Sequence, residues 1–349
     1  MKAVMLTGIQ KMEIWDIPKP KILKEKEVLL KIASVGVCGS DVHYYSEGKI
    51  GDQIIQYPFT IGHECSAVVN EIGVQVTRVK PGDKVAIDPA VSCGRCSQCW
   101  IGRSHTCLNL RFLGCPGQLE GCLTEYIVMP EQNCYIIPQN LSLDHAALIE
   151  PMSIGFYAMS LLGKIPVQKI GILGAGPIGL SVLLAAKDRE LSMIFVTDKI
   201  NTRLEIAKGI GAKWIGNPNY TDIVKDMLNY EPSGLDAVFE CCGDQNALDQ
   251  AIDLLQPGGR LIIVGIPRED RISFDINLLR RKEIIIQNVR RQNNCTQKAI
   301  DFLNNNKDKL DFMITHRFQI GQSDKAFDLV ANYLDGVVKA VIQLNHSNS

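Results

Sequence analysis

A glycine turn set between an apolar strand and a helix fixes the architecture of the second half of this chain. Gly174-Ala175-Gly176-Pro177-Ile178-Gly179 follows the run Ile170 to Leu173 and opens a helix that continues through Leu180 to Lys187. Glycines at these positions allow the tight turn, let the backbone approach a pyrophosphate, and let helix pack closely on strand, while the helix N-terminus faces the phosphates. From Gln168 onward, the apolar runs K-I-G-I-L, M-I-F-V-T-D, K-W-I-G, L-D-A-V-F-E, R-L-I-I-V-G and E-I-I-I-Q-N alternate with helical segments. Six such runs predict a doubly wound parallel sheet. Asp198 ends the second run, 19 positions past Gly179, where a carboxylate accepts from both ribose hydroxyls of a dinucleotide. The same charge repels a 2′-phosphate and favours NAD over NADP. Lys199 and Arg203 blunt that preference, although Arg203 equally suits covering the adenine.

A second constraint comes from four crowded cysteines. Cys93, Cys96, Cys99 and Cys107 are spaced C-x2-C-x2-C-x7-C within a segment, 92–108, that has little apolar content to pack. Four thiolates at this spacing close a tetrahedron around Zn2+, and a site filled by sulfur has no vacancy for water or substrate. It is expected to hold structure rather than do chemistry. The chain opens directly on the strand-like M-K-A-V-M-L with no secretory leader, so disulfides are the poorer reading and a cytoplasmic setting the better one.

Composition excludes more than it selects. With 46% apolar and 21% charged residues and a net charge of -1, nothing argues for nucleic acid or a membrane surface. A small-molecule partner is the default. No apolar run approaches the roughly 20 residues of a membrane span, and the tail Asn345-His346-Ser347-Asn348-Ser349 carries no lipidation signal. The first 150 or so residues read as short β runs broken by Gly, Pro and Asp: Val28 to Val35, Ser66 to Ile72, Asp83 to Asp88 and Leu123 to Pro130. After Arg290 come amphipathic helices, Lys298 to Asn304 and Ser323 to Tyr333, and a last strand, Lys339 to Leu344, expected to rejoin the first domain.

Three further stretches hold metal-binding residue types: Gly36-Val37-Cys38-Gly39-Ser40-Asp41-Val42-His43, Gly62-His63-Glu64 and Glu150-Pro151. Singly they are unremarkable. Together with Ile61-Gly62-His63-Glu64, Val79-Lys80-Pro81-Gly82-Asp83-Lys84-Val85, Leu148-Ile149-Glu150-Pro151-Met152-Ser153 and the glycine turn, they make the chain resemble the zinc-dependent medium-chain dehydrogenases, and within them the sorbitol/xylitol (polyol) dehydrogenases. The resemblance implies an α/β fold: a GroES-like, mostly β catalytic domain over 1–151, an inserted Rossmann domain with a doubly wound parallel sheet over 152–290, and a return to the catalytic domain over 291–349. It implies two zincs per chain, and Val264, Gly265, Ile266, Asn288, Val289 and Arg290 as further cofactor contacts. Cys38 and His63 would bind the catalytic one with Glu64 or Glu150 as third ligand, an alternative that stays open. The ion would lower the pKa of an alcohol, nicotinamide would accept hydride, and Ser40 and His43 would carry the proton out. A homodimer or homotetramer is the family's habit.

The implied activity is oxidation of a secondary hydroxyl of a polyol such as sorbitol, xylitol or iditol to a ketose. Two departures from the pattern bear on this. Ala67 stands where the family usually has glycine. In Gln287-Asn288-Val289-Arg290-Arg291-Gln292-Asn293, Arg290 fits a family arginine, but Arg291 replaces a common tyrosine. A second guanidinium suits a carboxylate or phosphate, so a sugar acid, a polyol phosphate or threonine is the rival substrate class; Arg291 equally suits solvent or a partner subunit. Tyr44 is read either as a wall of the substrate cleft or as core packing. A zinc-free structural or stress member of the superfamily is the non-enzymatic alternative.

Overall fold

The computed structural model describes residues 1–163 and 166–344, so the polar tail 345–349 lies outside the described residues. The chain forms two compact units, Met1–Glu150 together with the chain from Thr296 onward, and Pro151–Cys295.

The first unit is built on a seven-stranded sheet. Its strands run in the order Cys134–Ile136, Lys84–Ile87, Glu64–Ile72, Glu27–Gly36, Lys339–Gln343, Ile314–Gln319, with Tyr126–Pro130 also on Glu27–Gly36. Glu27–Gly36 is the hub: only Lys31 along it is exposed, and it pairs antiparallel with three neighbours. Burial on both faces explains its near-continuous V-L-L-K-I-A-S-V reading. Its register brings two distant strands to one place, because Gly36 lies opposite Glu64 on one side and Val341 on the other. Val4, Leu30, Ile32, Ile61, Val85, Leu123 and Ile342 lie in its core. The expected return of the chain end takes the form of the strand Lys339–Gln343. Ile314–Gln319, beside it, escapes a sequence reading because its burial alternates and its apolar content is low.

The second unit has six parallel strands in the order Trp214–Gly216, Met193–Thr197, Lys169–Leu173, Leu235–Glu240, Leu255–Ile263, Ile285–Asn288. Numbered within the unit this is 3-2-1-4-5-6, the order of dinucleotide-binding sheets, with the topological switch between Lys169–Leu173 and Leu235–Glu240. The central strands are apolar throughout because helices such as Pro177–Asp188 and Gln245–Leu254 connect them. Phe195, Val238, Phe239, Leu248 and Leu261 are wholly buried. Lys282 adds a local tie: its Nζ donates to the carbonyls of Ile252, Asp253 and Leu255 at 2.8–2.9 Å, satisfying the end of the helix Gln245–Leu254.

Phe239→Ala should remove about 3–5 kcal/mol from the second unit. Urea unfolding followed by Trp214, the one tryptophan of that unit, measures it; a loss under about 1 kcal/mol would mean the sheet core repacks around the hole.

Candidate metal centres and dinucleotide site

Cys38 follows the hub strand and stands at the N-cap of the helix Gly39–Glu47. His63 precedes the strand Glu64–Ile72. Because Gly36 pairs with Glu64, Cys38 and His63 meet, and ligand atoms of Cys38, His63 and Glu64 lie within 4.8 Å of one another. Glycine at 36 leaves room for this, since a Cβ there would run into the Glu64 carboxylate. His63 and Glu64 are buried and Cys38 half-buried.

Two buried charges surround the trio, and neither was assigned a role from the sequence. Asp41, wholly buried, accepts from the Gly62 N–H at 3.2 Å and faces His63 Nδ1 at 3.2 Å. A proton on Nδ1 leaves Nε2 as the lone-pair donor, so Asp41 sets the tautomer a metal needs. Burial works against a charged His63, but Asp41 first and Cys38 next raise its pKa well above the ordinary value; a metal ion would compete with that proton. Lys339 donates to both Glu64 oxygens at 2.8 and 2.6 Å and to the Val37 carbonyl at 3.0 Å. Burial opposes its charge, but the attraction of Glu64, then of Cys38, outweighs burial and raises its pKa. The signal for Lys339 was a lone charge in the apolar run V-V-K-A-V-I.

Glu150 lies in the first turn of the helix Ile149–Ser160 and is buried. Burial pushes its carboxyl up to about 7; Glu64 and Asp88 push the same way, while His63 and Lys339 oppose them. Glu150 is near enough to feel these charges, yet it is not in the trio. Ser40 Oγ donates to Cys38 Sγ at 3.3 Å. His43 Nδ1 is 3.6 Å from Glu47 one turn along the same helix. Tyr44 is buried at 4% exposure, with its hydroxyl on Gln53 at 3.0 Å and near Cys115, which is core packing.

In the lobe, Cys93, Cys96, Cys99 and Cys107 offer sulfurs within 4.8 Å of one another. Cys96 Sγ is 3.5 Å from Cys99 Sγ and 3.8 Å from Cys107 Sγ. A tetrahedron with Zn–S bonds of about 2.3 Å has edges of about 3.8 Å, so the spacing suits a metal and is far beyond a disulfide. Main-chain N–H groups of Cys93, Leu108 and Asn109 point at these sulfurs. Those of Cys99 and Leu108 bring the Cys96 thiol down to about 6, whereas burial and neighbouring thiols push Cys107 up to about 11. Crowded thiolates need a cation to coexist, which a dication supplies.

At the carboxyl edge of the six-stranded sheet, Gly174 takes φ +101° and its N–H donates to the Thr197 carbonyl at 2.8 Å. A methyl on Gly179 would collide with the Gly174 carbonyl, whereas Gly176 meets only Arg203, 3.6 Å from where its Cβ would be. Gly176 caps the helix Pro177–Asp188, with Pro177 at its first position and Ile178 next. Asp198 accepts from the Ala175 N–H at 2.7 Å and the Ile200 N–H at 2.8 Å. The carboxylate is thus fixed to the glycine turn itself. Lys199 pairs with Asp244 at 3.1 Å. Val264, Gly265 and Ile266 follow Leu255–Ile263, Asn288 ends the last strand, and the Val289 N–H donates to the Ile263 carbonyl at 2.9 Å. Arg290 is exposed, and Arg291 holds the left-handed φ of +55°.

Comparison with known proteins agrees with this geometry. Residues 24–139 match the alcohol dehydrogenase GroES-like domain and residues 177–305 the zinc-binding dehydrogenase domain. A sorbitol dehydrogenase of Bacillus subtilis (strain 168) is 35% identical over 99% of this chain and 98% of its own. This chain belongs to the zinc-dependent medium-chain dehydrogenases. An L-idonate 5-dehydrogenase of Vitis vinifera is 32% identical, over 94% of this chain and 91% of that one. The crystal structure of an Escherichia coli oxidoreductase/dehydrogenase of unknown specificity superposes with a TM-score of 0.92, at 32% identity and 99% coverage of both chains. The dehydrogenase is therefore an alcohol dehydrogenase with a GroES-like and a Rossmann domain, and zinc and a nicotinamide dinucleotide are its family's cofactors. The similarity to sorbitol dehydrogenases and the zinc-binding dehydrogenase match support an enzyme over the non-enzymatic alternative. No helix among the described residues is long and apolar enough to cross a membrane.

The residues present fit both groups. The four-sulfur set and the Cys-His-Glu set are zinc donor sets, and the space at Gly176 admits a phosphate. Cys96→Ser should lower zinc content by one per chain and lower the unfolding temperature; full zinc content with an unchanged midpoint would remove the metal from the lobe. Asp41→Asn should weaken metal retention about 10- to 100-fold, read by chelator competition. Lys339→Met leaves Glu64 buried without its ammonium and should cost about 3–5 kcal/mol in equilibrium unfolding; a cost near zero would mean Glu64 is served elsewhere.

Proposed function

We propose that this dehydrogenase oxidises a secondary hydroxyl of a neutral polyol to a ketone, with NAD+ as acceptor and zinc held by Cys38, His63 and one of the two glutamates, Glu64 or Glu150. The observation that carries the reading is the contrast between two ligand sets. One has four sulfurs and is closed; the other, among the described residues, is a Cys-His-Glu trio with His63 and Glu64 buried and Cys38 half-buried, and three ligands leave a position for substrate. Zinc bound there would supply Lewis acidity to the substrate hydroxyl, and the dinucleotide would accept the hydride.

The chain's own residues do the rest. Asp41 keeps His63 in the ligating tautomer. Lys339 holds one glutamate against the hub strand, which keeps two negative carboxylates from competing freely for one dication. Ser40, whose hydroxyl lies against Cys38, is suited to take a proton from substrate, and His43, facing Glu47, to pass it towards water. Asp198, anchored by two N–H groups, presents its remaining lone pairs to ribose hydroxyls and its charge against a 2′-phosphate. Lys199, the cation that would blunt this, is paired with Asp244, which supports NAD over NADP. The strand Ile285–Asn288, an edge of the sheet among the described residues, supports a homodimer or homotetramer.

One observation favours a second substrate class. Arg291 holds a left-handed backbone that costs a side-chain-bearing residue energy, and a relative with 32% identity is named for idonate, a sugar acid. A sugar acid, a polyol phosphate or threonine would use that guanidinium. Initial rates with NAD+ and NADP+ across neutral polyols, polyol phosphates, sugar acids and threonine, with zinc measured on the same sample, decide. Turnover of a neutral polyol with NAD+ is expected. Turnover confined to anions would transfer specificity to Arg291, and Asp198→Ala with unchanged discrimination against NADP+ would remove Asp198 from its role.

A further inference from the structure

Glu240 ends the strand Leu235–Glu240 with a side chain that is wholly buried. Its register partners are Leu173 on one side and Ile263 on the other, so it stands at the topological switch point, outside which doubly wound sheets bind dinucleotides. Glu240 Oε1 accepts from the Cys242 N–H at 2.7 Å and the Gly243 N–H at 2.6 Å. Its main-chain carbonyl accepts from Val264 at 2.8 Å and Gly265 at 2.9 Å. One residue thereby ties two successive loops, 241–243 and 264–266, at the same edge.

Both loops are packed as closely as backbone allows. The Cys241 N–H donates to the Leu173 carbonyl at 2.8 Å, and a Cβ on Gly174 would lie 3.1 Å from Cys242 Cβ, so the first loop abuts the glycine turn. A Cβ on Gly243 would run into the Ile266 carbonyl. A Cβ on Gly265 would meet Glu240 Oε2 at 2.7 Å as well as the Gly243 nitrogen. Among the described residues no N–H or O–H group reaches Glu240 Oε2, which is buried. A carboxylate buried in that position is costly.

We propose that Glu240 is a positioning residue for the dinucleotide. Its Oε1, as acceptor of two loop N–H groups, holds 241–243, which packs through Gly243 against Ile266 of the second loop, in the shape the cofactor takes up, so that ordering precedes binding instead of opposing it. This rests on the dinucleotide reading of the sheet's carboxyl edge. Glu240→Ala removes the acceptor, and Glu240→Gln keeps one carbonyl oxygen in its place.

The test uses the full-length, zinc-loaded protein. Amide hydrogen exchange is measured without cofactor, NADH affinity by fluorescence titration, and KM for NAD+ separately from kcat. In E240A, exchange across 241–243 should rise, NADH should bind about tenfold or more weakly, and KM for NAD+ should rise more than kcat falls; E240Q should recover most of the loss. A merely structural role would lower the unfolding midpoint and leave NADH affinity alone. NADH affinity of E240A within twofold of wild type overturns the proposal, and so does an E240Q as impaired as E240A. If E240A does not fold, Glu240→Asp carries the test, because the shorter side chain keeps the charge and draws the acceptor back from the Cys242 and Gly243 N–H groups: several-fold weaker NADH binding supports the proposal and unchanged binding overturns it. Absence of NADH binding in the wild type would defeat the dinucleotide reading and this proposal together, which separates the two failures.

Discussion

The buried ion pair between Lys339 and Glu64 is the constraint on which the metal-binding unit turns. Both side chains are at most 2% exposed, so separating them would strand a charge in a medium that solvates it poorly. Their partnership joins residues 275 positions apart, and it does so across the hub strand, whose Gly36 pairs with both of their strands. A slip of one residue in either pairing would turn Lys339 or Glu64 to the opposite face. The ion pair therefore specifies register as well as charge, and the register is what carries Cys38 to His63. Stability alone would be served as well by two apolar side chains of similar volume. What an apolar pair cannot do is leave a carboxylate beside the thiol and imidazole.

The two candidate metal-ligating sets differ in how the chain supports them. In the lobe, support comes from local backbone: the N–H groups of Cys93, Leu108 and Asn109 point at sulfurs within the same short segment. The trio instead depends on side chains distant in sequence, Asp41 on His63 and Lys339 on Glu64. The lobe has little core of its own, and a bound ion replaces one. The trio is set in a strand framework with an apolar core of its own, and a site with an open position needs such rigid support.

These differences explain what the sequence disclosed and what it did not. The lobe and the glycine turn are local patterns, so spacing alone exposed Cys93 to Cys107 and Gly174 to Gly179. The parallel strands were legible because burial on both faces leaves continuous apolar runs such as L-D-A-V-F-E. Lys339 and Asp41 were hidden because their partners are set by register and by a helix turn, neither of which leaves a spacing in the sequence. Ile314–Gln319 was missed because an alternating edge strand with a histidine and an arginine resembles a loop. Tyr44 sits in a motif that matches a family, yet its burial was decided by Gln53 and Cys115.

Three buried carboxylates obey one rule with different partners. Asp41 faces an imidazole, Glu64 an ammonium, and Glu240 two main-chain N–H groups. Each lies at the end of a regular element or just beyond one, where the backbone changes direction and the core no longer excludes polar groups. A charge placed there tolerates burial because fixed donors replace water. It also resists displacement, since moving any of the three would uncover an unpaired donor. Asp41 thereby holds a ligand, Glu64 a strand register, and Glu240 a pair of loops. The dehydrogenase uses buried negative charge to fix the parts that must not move.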